Sequence, residues 1–420
     1  MKGFPSRVTN LLIASLVLTI GRAVTLPFIT IYLAEHFQLA PDKVGLVLGA
    51  SLTLGIFTSL YGGYLVDKFN KKRLILLAIT LFSATFFTLP WIEHPAWIIL
   101  ILALLHSAYS VYGIAIKACF ADWLPVNERI KACFADWLPV NERIKAFSAN
   151  YTLVNVGWAV GPGLGVLVVS MGPQVPFIIS GILALLVAIT LKFRIDSTDM
   201  SVTEHTQTES VPDFRQTFRI LRHDKRLIYF TVGSMLSAIV FGQFSGYLSQ
   251  YLITVSNAKF AYQVIGAVMT VNAAIVITLQ YLLSRRMNQQ NLMRWLMLGT
   301  LFFIIGLFGF MAAQQSIPVW MLAMAIFSLG EIIVIPVEYM FIDFIAPANL
   351  KGSYYGVQNL GQLGGAANPV LCGFLLAYTA PEMMFYMLIV AAILGLVFFY
   401  RGYQLAKSPA HQPSQLQDES

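Results

Sequence analysis

Two ionisable residues of opposite charge, Arg22 and Glu331, each lie near the middle of a long apolar stretch of the sequence. A charge at the centre of a lipid bilayer costs about 2.5 to 3.5 kcal/mol even on the most lenient insertion scale. Such residues should therefore face a partner or a water-filled cavity. If both face one cavity, the carboxyl group could bind and release a proton as the cavity changes sides, which proton coupling requires. A purely structural ion pair is the alternative.

Other polar and aromatic side chains within apolar stretches could line the same cavity. His106 and Asn155 could supply hydrogen bonds, and Glu338 lies two helical turns beyond Glu331 on the same face. Taken singly, such residues more often serve packing or interhelical hydrogen bonding than ligand binding. The predicted substrate-binding residues are Arg22, Tyr109, Tyr112, Gln243, Tyr247 and Asn272, and the predicted proton-coupling residues are Glu331 and Arg22.

Sequence patterns of known catalytic and metal sites do not occur in this chain. There is no H-E-x-x-H, G-x-S-x-G or P-loop pattern, and the six histidines show no metal-ligand spacing. We therefore expect no catalytic residues, no metal and no cofactor. A membrane enzyme is the weaker alternative, and a receptor that transports nothing, or an inactivated duplicate, also remains open.

The elements that must position these residues follow from composition. Apolar residues make up 57% of the 420 residues, charged residues only 11%, and the mean hydropathy is +0.72, whereas a soluble domain is about 45 to 50% apolar and about 25% charged. This excludes a water-soluble globular enzyme and predicts an all-α membrane protein with twelve transmembrane helices of about 20 residues each. The predicted spans are 9–33, 44–66, 74–92, 96–118, 146–170, 174–193, 227–253, 262–284, 292–313, 318–341, 352–378 and 382–403.

The twelve spans divide into two halves that show signs of an internal repeat. Asn155 stands seven residues before Pro162 in the fifth span, and Gln362 stands seven residues before Pro369 in the eleventh. These matching positions predict two pseudo-symmetric six-helix bundles. The predicted domains are an N-terminal bundle at 1–193, a cytoplasmic linker with a basic amphipathic helix at 194–226, a C-terminal bundle at 227–405 and a disordered tail at 406–420.

The distribution of basic residues indicates orientation. The formal net charge is +7, yet most of the 27 Lys and Arg residues lie between spans or at the termini, which argues against a nucleic-acid partner. All but Arg22, Lys43 and Lys259 fall on the side that holds both termini. The positive-inside rule therefore places both termini in the cytoplasm.

A short block is duplicated without one change. Residues 117–130 recur at 131–144, and such identity indicates a recent tandem duplication, an engineered insertion or a sequence artefact. Because Pro125 and Pro139 oppose one unbroken helix, we expect a helix, a bend and a second amphipathic piece. Tolerated growth of a loop is favoured over a regulatory insert, since loops accept insertions at low cost.

The loop after the second span carries the first family signature. Residues 63–73, Gly-Tyr-Leu-Val-Asp-Lys-Phe-Asn-Lys-Lys-Arg, resemble the G-x-L-x-D-R-x-G-R-R motif of the major facilitator superfamily. Asn70 stands where the motif has glycine, and because asparagine tolerates a positive φ we expect the turn to survive. The resemblance implies that Asp67 belongs to a cytoplasmic gate that docks on the start of the eleventh helix. The predicted gating residues of this stretch are Gly63, Asp67, Lys68, Lys71, Lys72 and Arg73.

The fifth span carries a second signature. Residues 157–165, Gly-Trp-Ala-Val-Gly-Pro-Gly-Leu-Gly, resemble the glycine-proline motif of the drug and proton antiporters in that superfamily. Glycine at every fourth residue makes a smooth stripe for close helix packing; generic packing is the alternative. Residues 18–28 are most similar to the enterobacterial YdeE-type exporters. Gly157, Gly161, Pro162 and Gly165 complete the predicted gating residues.

The resemblance implies a secondary active transporter that exports drugs, small metabolites or peptides in exchange for protons by alternating access. A proton symporter or uniporter that takes up a small solute such as a sugar is the alternative. The implied partners are a small-molecule substrate, protons and the lipid bilayer. We expect a monomer that spans the bacterial inner membrane many times, with the proton gradient in place of a cofactor.

Overall fold

The computed structural model describes residues 6–123, 142–194, 221–284, 286–287, 290–347 and 357–407, together with Arg219 and Tyr354. Several predictions fall largely outside these residues and stay predictions. They concern the duplicated block, the linker, the C-terminal tail and the segment near 350 on which Asp67 is expected to dock.

Helices account for the predicted spans of the N-terminal half. The first span is broken into two helices by a short 3-10 turn at Leu26–Phe28, because Pro27 cannot continue the α-helical hydrogen bonding. The helices are α1 (Ser6–Thr25), α2 (Ile29–His36), α3 (Pro41–Lys68), α4 (Lys71–Thr88), α5 (Pro95–Trp123), α6 (Glu142–Val169) and α7 (Val175–Arg194).

The C-terminal half is also helical. Its helices are α8 (Lys225–Phe241), α9 (Phe244–Val255), α10 (Ala258–Ser284), α11 (Leu292–Ala313), α12 (Ile317–Ile345), α13 (Gln362–Tyr378) and α14 (Met383–Lys407). Among the described residues no strand occurs, and nine segments are long and apolar enough to cross a membrane, or ten if α8 and α9 form one bent span. With α3 and α13, helices cover all twelve predicted spans, and the all-α prediction is confirmed.

The predicted seventh span, 227–253, is not one continuous helix. It breaks at Gly242 and Gln243, where α8 and α9 meet at a bend of 43°. Gly242 lies against Gly365 of α13, with 3.1 Å between an added Cβ and the Gly365 Cα. Glycine is a weak helix former and allows this close approach, which favours a bend here.

Two capping residues correct further predictions. Asn70 has a φ of −58° and its side chain accepts a hydrogen bond from the Arg73 backbone N–H at 3.2 Å, so the expected positive φ is wrong and Asn70 is the N-cap of α4. Asp224 is the N-cap of α8. The short helical segment before it ends at His223, so the predicted basic helix does not continue to residue 226.

The chain forms two compact units. The first comprises Met1–Leu39, Leu46–Thr206 and Ala258–Ala273, and the second comprises Ala40–Gly45, Gln207–Asn257 and Ala274–Ser420. The domain division predicted at 193 and 227 stays a prediction.

The two units have matching internal packing. In the first unit α1 packs on α6 and α7, and α4 packs on α5 and α7. In the second unit α8 packs on α13 and α14, and α11 packs on α12 and α14. In terms of spans, each pair in the first unit corresponds to the pair six spans later in the second. This is the pattern that two pseudo-symmetric six-helix bundles produce.

Candidate functional site

The first unit holds Arg22 against aromatic rings. Its guanidinium carbon lies 4.2 Å from the centre of the Tyr109 ring and 5.8 Å from the ring of Trp158. The Arg22 Nε is buried and has no hydrogen-bond partner among the described residues. A guanidinium over an aromatic face gains about 0.5 to 2 kcal/mol, the most where water is excluded. Within the described part of this unit, ring faces and not a carboxylate hold the charge.

Hydroxyl groups tie the aromatic residues of α5 to α1. The Tyr109 hydroxyl lies 3.3 Å from Thr19 Oγ1, and the Tyr112 hydroxyl lies 3.3 Å from Ser15 Oγ. One helical turn before Tyr109, His106 is close enough to Arg22 for the two to interact electrostatically. The structure therefore brings Arg22, Tyr109 and Tyr112 together, whereas their role in substrate binding stays a prediction. Trp158 is a further neighbour; it lies in the motif at 157–165, but no role was predicted for it from the sequence.

The glycine stripe of α6 positions this cluster. A Cβ at Gly157 would lie 2.8 Å from the Thr19 Cβ, and one at Gly161 would lie 3.0 Å from the Ile20 carbonyl oxygen. A Cβ at Gly165 would lie even closer to the Val24 carbonyl oxygen of α1. The backbones of α1 and α6 therefore pack directly together, which fixes the face of α1 that carries Arg22. Close packing is established by these contacts, whereas a gating role for the stripe stays a prediction.

The second unit surrounds Glu331 with different chemistry. Tyr247 of α9 is fully buried, and within the described part of the chain its hydroxyl has no hydrogen-bond partner. Glu331 of α12 and Cys372 of α13 are near enough to act electrostatically on this phenol. Gln243, a predicted substrate-binding residue, lies at the break between α8 and α9, where the backbone is not helical.

Glu338 is the acidic residue to which sequence reasoning gave no role. It is 6% exposed, and none of the residues that the structure describes forms a hydrogen bond with its Oε1. The carboxyl group interacts with the hydroxyls of Ser234 and Ser237 on α8. Its position seven residues after Glu331 was enough to predict that it faces polar groups, because two acids on one face of an apolar helix are costly unless they face polar partners.

The remaining predicted residues lie elsewhere. Asn272 is buried on α10 in the first unit, with polar contacts of its own, and so belongs to a different unit from Gln243 and Tyr247. In the first turn of α4, Lys71 is buried and Arg73 is exposed. The predicted gating residues in the last turns of α3 are Gly63, Asp67 and Lys68, whose side chains are outside the described set.

Arg22 and Glu331 belong to different units, and the structure describes each unit by itself. Their meeting in one cavity therefore stays a prediction. What the structure provides is a cationic, aromatic cluster in one bundle and an acidic, phenolic cluster in the other.

Paired six-helix bundles define a class of membrane transporters, and a comparison of sequences gives the same class. The profile of the Major Facilitator Superfamily matches residues 11–133 and 130–369. The chain belongs to this superfamily, as the sequence motifs predicted. It is therefore a multi-pass membrane transporter with a small-molecule substrate, and not an enzyme.

Particular relatives narrow the resemblance. The chain is 38% identical over 404 residues to the uncharacterized MFS-type transporter YdeE of Escherichia coli (strain K12), covering 96% of this chain and 97% of that protein. This confirms the YdeE-like resemblance. It is 24% identical over 363 residues, covering 80% of this chain and 81% of the relative, to a Na(+), Li(+), K(+)/H(+) antiporter of Planococcus maritimus. It is 23% identical over 250 residues to Multidrug resistance protein 2 of Bacillus subtilis (strain 168), covering 59% and 58%.

Solved structures agree on the fold. A bacterial homologue of the human lysosomal transporter Spinster has a TM-score of 0.73 at 13% identity, with 96% of this chain and 98% of that chain covered. At this identity the likeness shows the fold alone, which is the predicted major facilitator fold.

Proposed function

We propose that this transporter exports small organic molecules, such as drugs, small metabolites or peptides, in exchange for protons. Exchange proceeds by alternating access, with Glu331 as the proton-binding group and Arg22 as a substrate contact. The observation that carries the proposal is Glu331 in an apolar helix beside the buried phenol of Tyr247. An acid in such surroundings can bind and lose a proton as access to water alternates.

The broken seventh span supports a binding role for this region. Discontinuous helices commonly form the substrate sites of transporters, because unwound backbone leaves polar groups free to contact a ligand. Gln243 stands at the break and Tyr247 follows one turn later. Both were predicted to contact substrate, and both lie in the unit that carries Glu331.

The relatives support exchange and export without naming a substrate for this chain. One is named for cation and proton antiport and another for multidrug resistance. The excess of Lys and Arg on the side of the termini supports cytoplasmic termini. We propose that the protein is a monomer in the bacterial inner membrane.

The test is transport in inverted membrane vesicles. A substrate is first found from the growth of an efflux-deficient host on a panel of compounds. Adding that compound to acid-loaded vesicles should dissipate the pH gradient if protons leave as substrate enters. Glu331→Gln should abolish this response, because glutamine cannot carry a proton. Glu93→Gln, an exposed glutamate before α5, is the matched control and should respond like the unchanged protein.

The outcomes separate the alternatives. Substrate movement without any change in the pH gradient would indicate a uniporter, and proton movement in the same direction as the substrate would indicate a symporter. Normal export by Glu331→Gln would remove this residue from the coupling mechanism.

A further inference from the structure

A cavity lies in the first unit, and none of its lining residues belongs to the Arg22 cluster. Its volume is about 670 Å³, within the range of about 300 to 1,000 Å³ of small-molecule sites. The cavity is formed by α2, the end of α6 and the start of α10. Its apolar wall consists of Val166, Val169 and Pro173. At Gly266 an added Cβ would lie 2.6 Å from a Val166 methyl group, so α10 packs tightly on α6 beside the cavity.

One residue that lines this cavity, Tyr32, has a buried hydroxyl without a partner in the part of the chain that the structure describes. Tyr32 is only 3% exposed, and no described protein group forms a hydrogen bond with its hydroxyl. Its ring is fixed by stacking on His36 at 5.0 Å and by an edge contact with Phe177 at 4.6 Å. An unpaired buried hydroxyl is unfavourable. A bound molecule with a hydrogen-bond acceptor would remove that cost once the hydroxyl turns toward the cavity.

Opposite charges stand at the cavity. Glu35 and Lys259 both line it and both are exposed. Among the described residues no ion pair joins them. Glu35 acts electrostatically on Tyr262, whose ring lies 5.2 Å from that of Phe28. The negative charge therefore stands beside aromatic rings, and an ammonium group is attracted both to a carboxylate and to ring faces.

We propose that this cavity binds a small zwitterion with an apolar body. The ammonium group contacts Glu35 and the rings beside it, the carboxylate contacts Lys259, and a polar oxygen accepts a hydrogen bond from Tyr32. The apolar body packs on Val166, Val169 and Pro173. Binding here does not depend on the proton exchange proposed above. The proposal adds a binding site outside the clusters that hold Arg22 and Glu331.

The test is equilibrium binding to the full chain in lipid nanodiscs, without any proton gradient. The probes are L-phenylalanyl-L-phenylalanine, its methyl ester and its N-acetyl derivative, which carry both charges, only the positive charge and only the negative charge. We expect the dipeptide to bind more tightly than either derivative by about two- to fivefold, the range expected for one exposed ion pair.

Variants assign each contact. Glu35→Gln should weaken the dipeptide and the methyl ester by about two- to fivefold and leave the N-acetyl derivative unchanged. Lys259→Gln should weaken the dipeptide and the N-acetyl derivative and leave the methyl ester unchanged. Tyr32→Phe should weaken all three probes about fivefold, since it removes one hydrogen bond and keeps the ring. Lys43→Gln, an exposed lysine that does not line the cavity, is the control.

Equal affinity for the three probes, or variants that all bind like the unchanged chain, would overturn the proposal. Because the readout is binding, it is independent of the transport test. Loss of proton exchange in Glu331→Gln with intact dipeptide binding supports both proposals. Normal exchange in Glu331→Gln with the expected binding pattern overturns only the proposed proton coupling.

Discussion

At the scale of single residues, the charge of Arg22 is held against the face of an aromatic ring. Its guanidinium lies over Tyr109, whose hydroxyl contacts Thr19 on the helix that carries Arg22. Lysine has the same charge but concentrates it on a strongly hydrated ammonium group that cannot stack. A substitution that keeps the positive charge but removes the planar group should therefore show which of the two properties transport requires.

We expect Arg22→Lys to fold normally and to lose transport by about tenfold, because a strongly hydrated ammonium group is held less well against the buried rings than a guanidinium. Initial rates of efflux, normalised to the amount of protein in the membrane, measure the effect. Arg401→Lys, an exposed arginine near the end of α14, is the matched control and should transport normally. Wild-type rates in Arg22→Lys would show that charge alone suffices.

Asp224 offers a residue-scale prediction about stability. It accepts hydrogen bonds from the Arg226 guanidinium at 2.8 Å and 3.0 Å and from the Tyr354 hydroxyl at 2.7 Å. Burial would raise the pKa of the Asp224 carboxyl, but these hydrogen bonds and the charge of Arg226 outweigh burial and hold the pKa below its ordinary value of 3.8. The ionised form is therefore stabilised by folding.

We expect Asp224→Ala to reduce the free energy of unfolding by about 2 kcal/mol at neutral pH, because it removes the N-cap of α8 and the charged hydrogen bonds. Asp224→Asn should cost less, since asparagine can still cap the helix. A group with a lowered pKa stabilises above its ordinary value and loses that contribution as the pH falls through the lowered value. Thermal unfolding in detergent should thus show the difference between the unchanged protein and Asp224→Asn shrinking below about pH 4. A constant difference would contradict this account.

At the scale of helices, the glycines of α6 differ in what their missing side chains permit. A Cβ at Gly161 would lie 2.9 Å from the Ala23 carbonyl carbon, and backbone atoms cannot move aside easily. A Cβ at Gly163, two residues later on the same helix, would meet nothing within 4 Å.

We expect Gly161→Ala to destabilise the protein by about 1 to 3 kcal/mol, the range for overpacking. Gly163→Ala is the matched control, and it should be neutral or stabilise by up to about 1 kcal/mol through helix propensity. The melting temperatures of the two purified variants give the comparison. Equal melting temperatures would mean that α1 and α6 can separate without cost.

Helices were predictable from the sequence to different extents. Hydropathy alone located the twelve spans, because a bilayer requires long apolar helices whatever their packing. The bend at Gly242 and the cap at Asn70 depend on what lies beside them, and a single sequence does not record that. Arg22 and Glu331 could be identified as candidate site residues because charged residues are rare in membrane spans. Tyr32 could not, because tyrosine is common near the end of a span and the sequence does not show whether its hydroxyl has a partner.

At the scale of the whole molecule, the duplicated block is the one part of the sequence that the family does not explain. The superfamily profile matches in two pieces whose boundary, at residues 130 to 133, falls inside the block. One copy therefore suffices to complete the family pattern. The block is also largely outside the described residues, so its conformation stays a prediction.

We expect deletion of residues 131–144 to leave efflux and expression unchanged. The physical reason is that a longer loop costs little entropy, about 0.6 kcal/mol for each doubling of its length. Growth of an efflux-deficient host on the identified substrate measures function, and the protein amount in the membrane measures expression. A change in transport at equal expression would assign the extra copy a regulatory role.

The contacts between α8 and α13 have a mechanical consequence. Gly364 lies directly on the Met235 carbonyl group, the Asn368 amide donates to the Ile239 carbonyl oxygen at 2.5 Å, and Tyr354 donates to Asp224 at the start of α8. These contacts tie α8 to the eleventh predicted span at three levels. We therefore expect α8 and the eleventh span to move together during the transport cycle, so that relative movement between helices occurs elsewhere in the bundle.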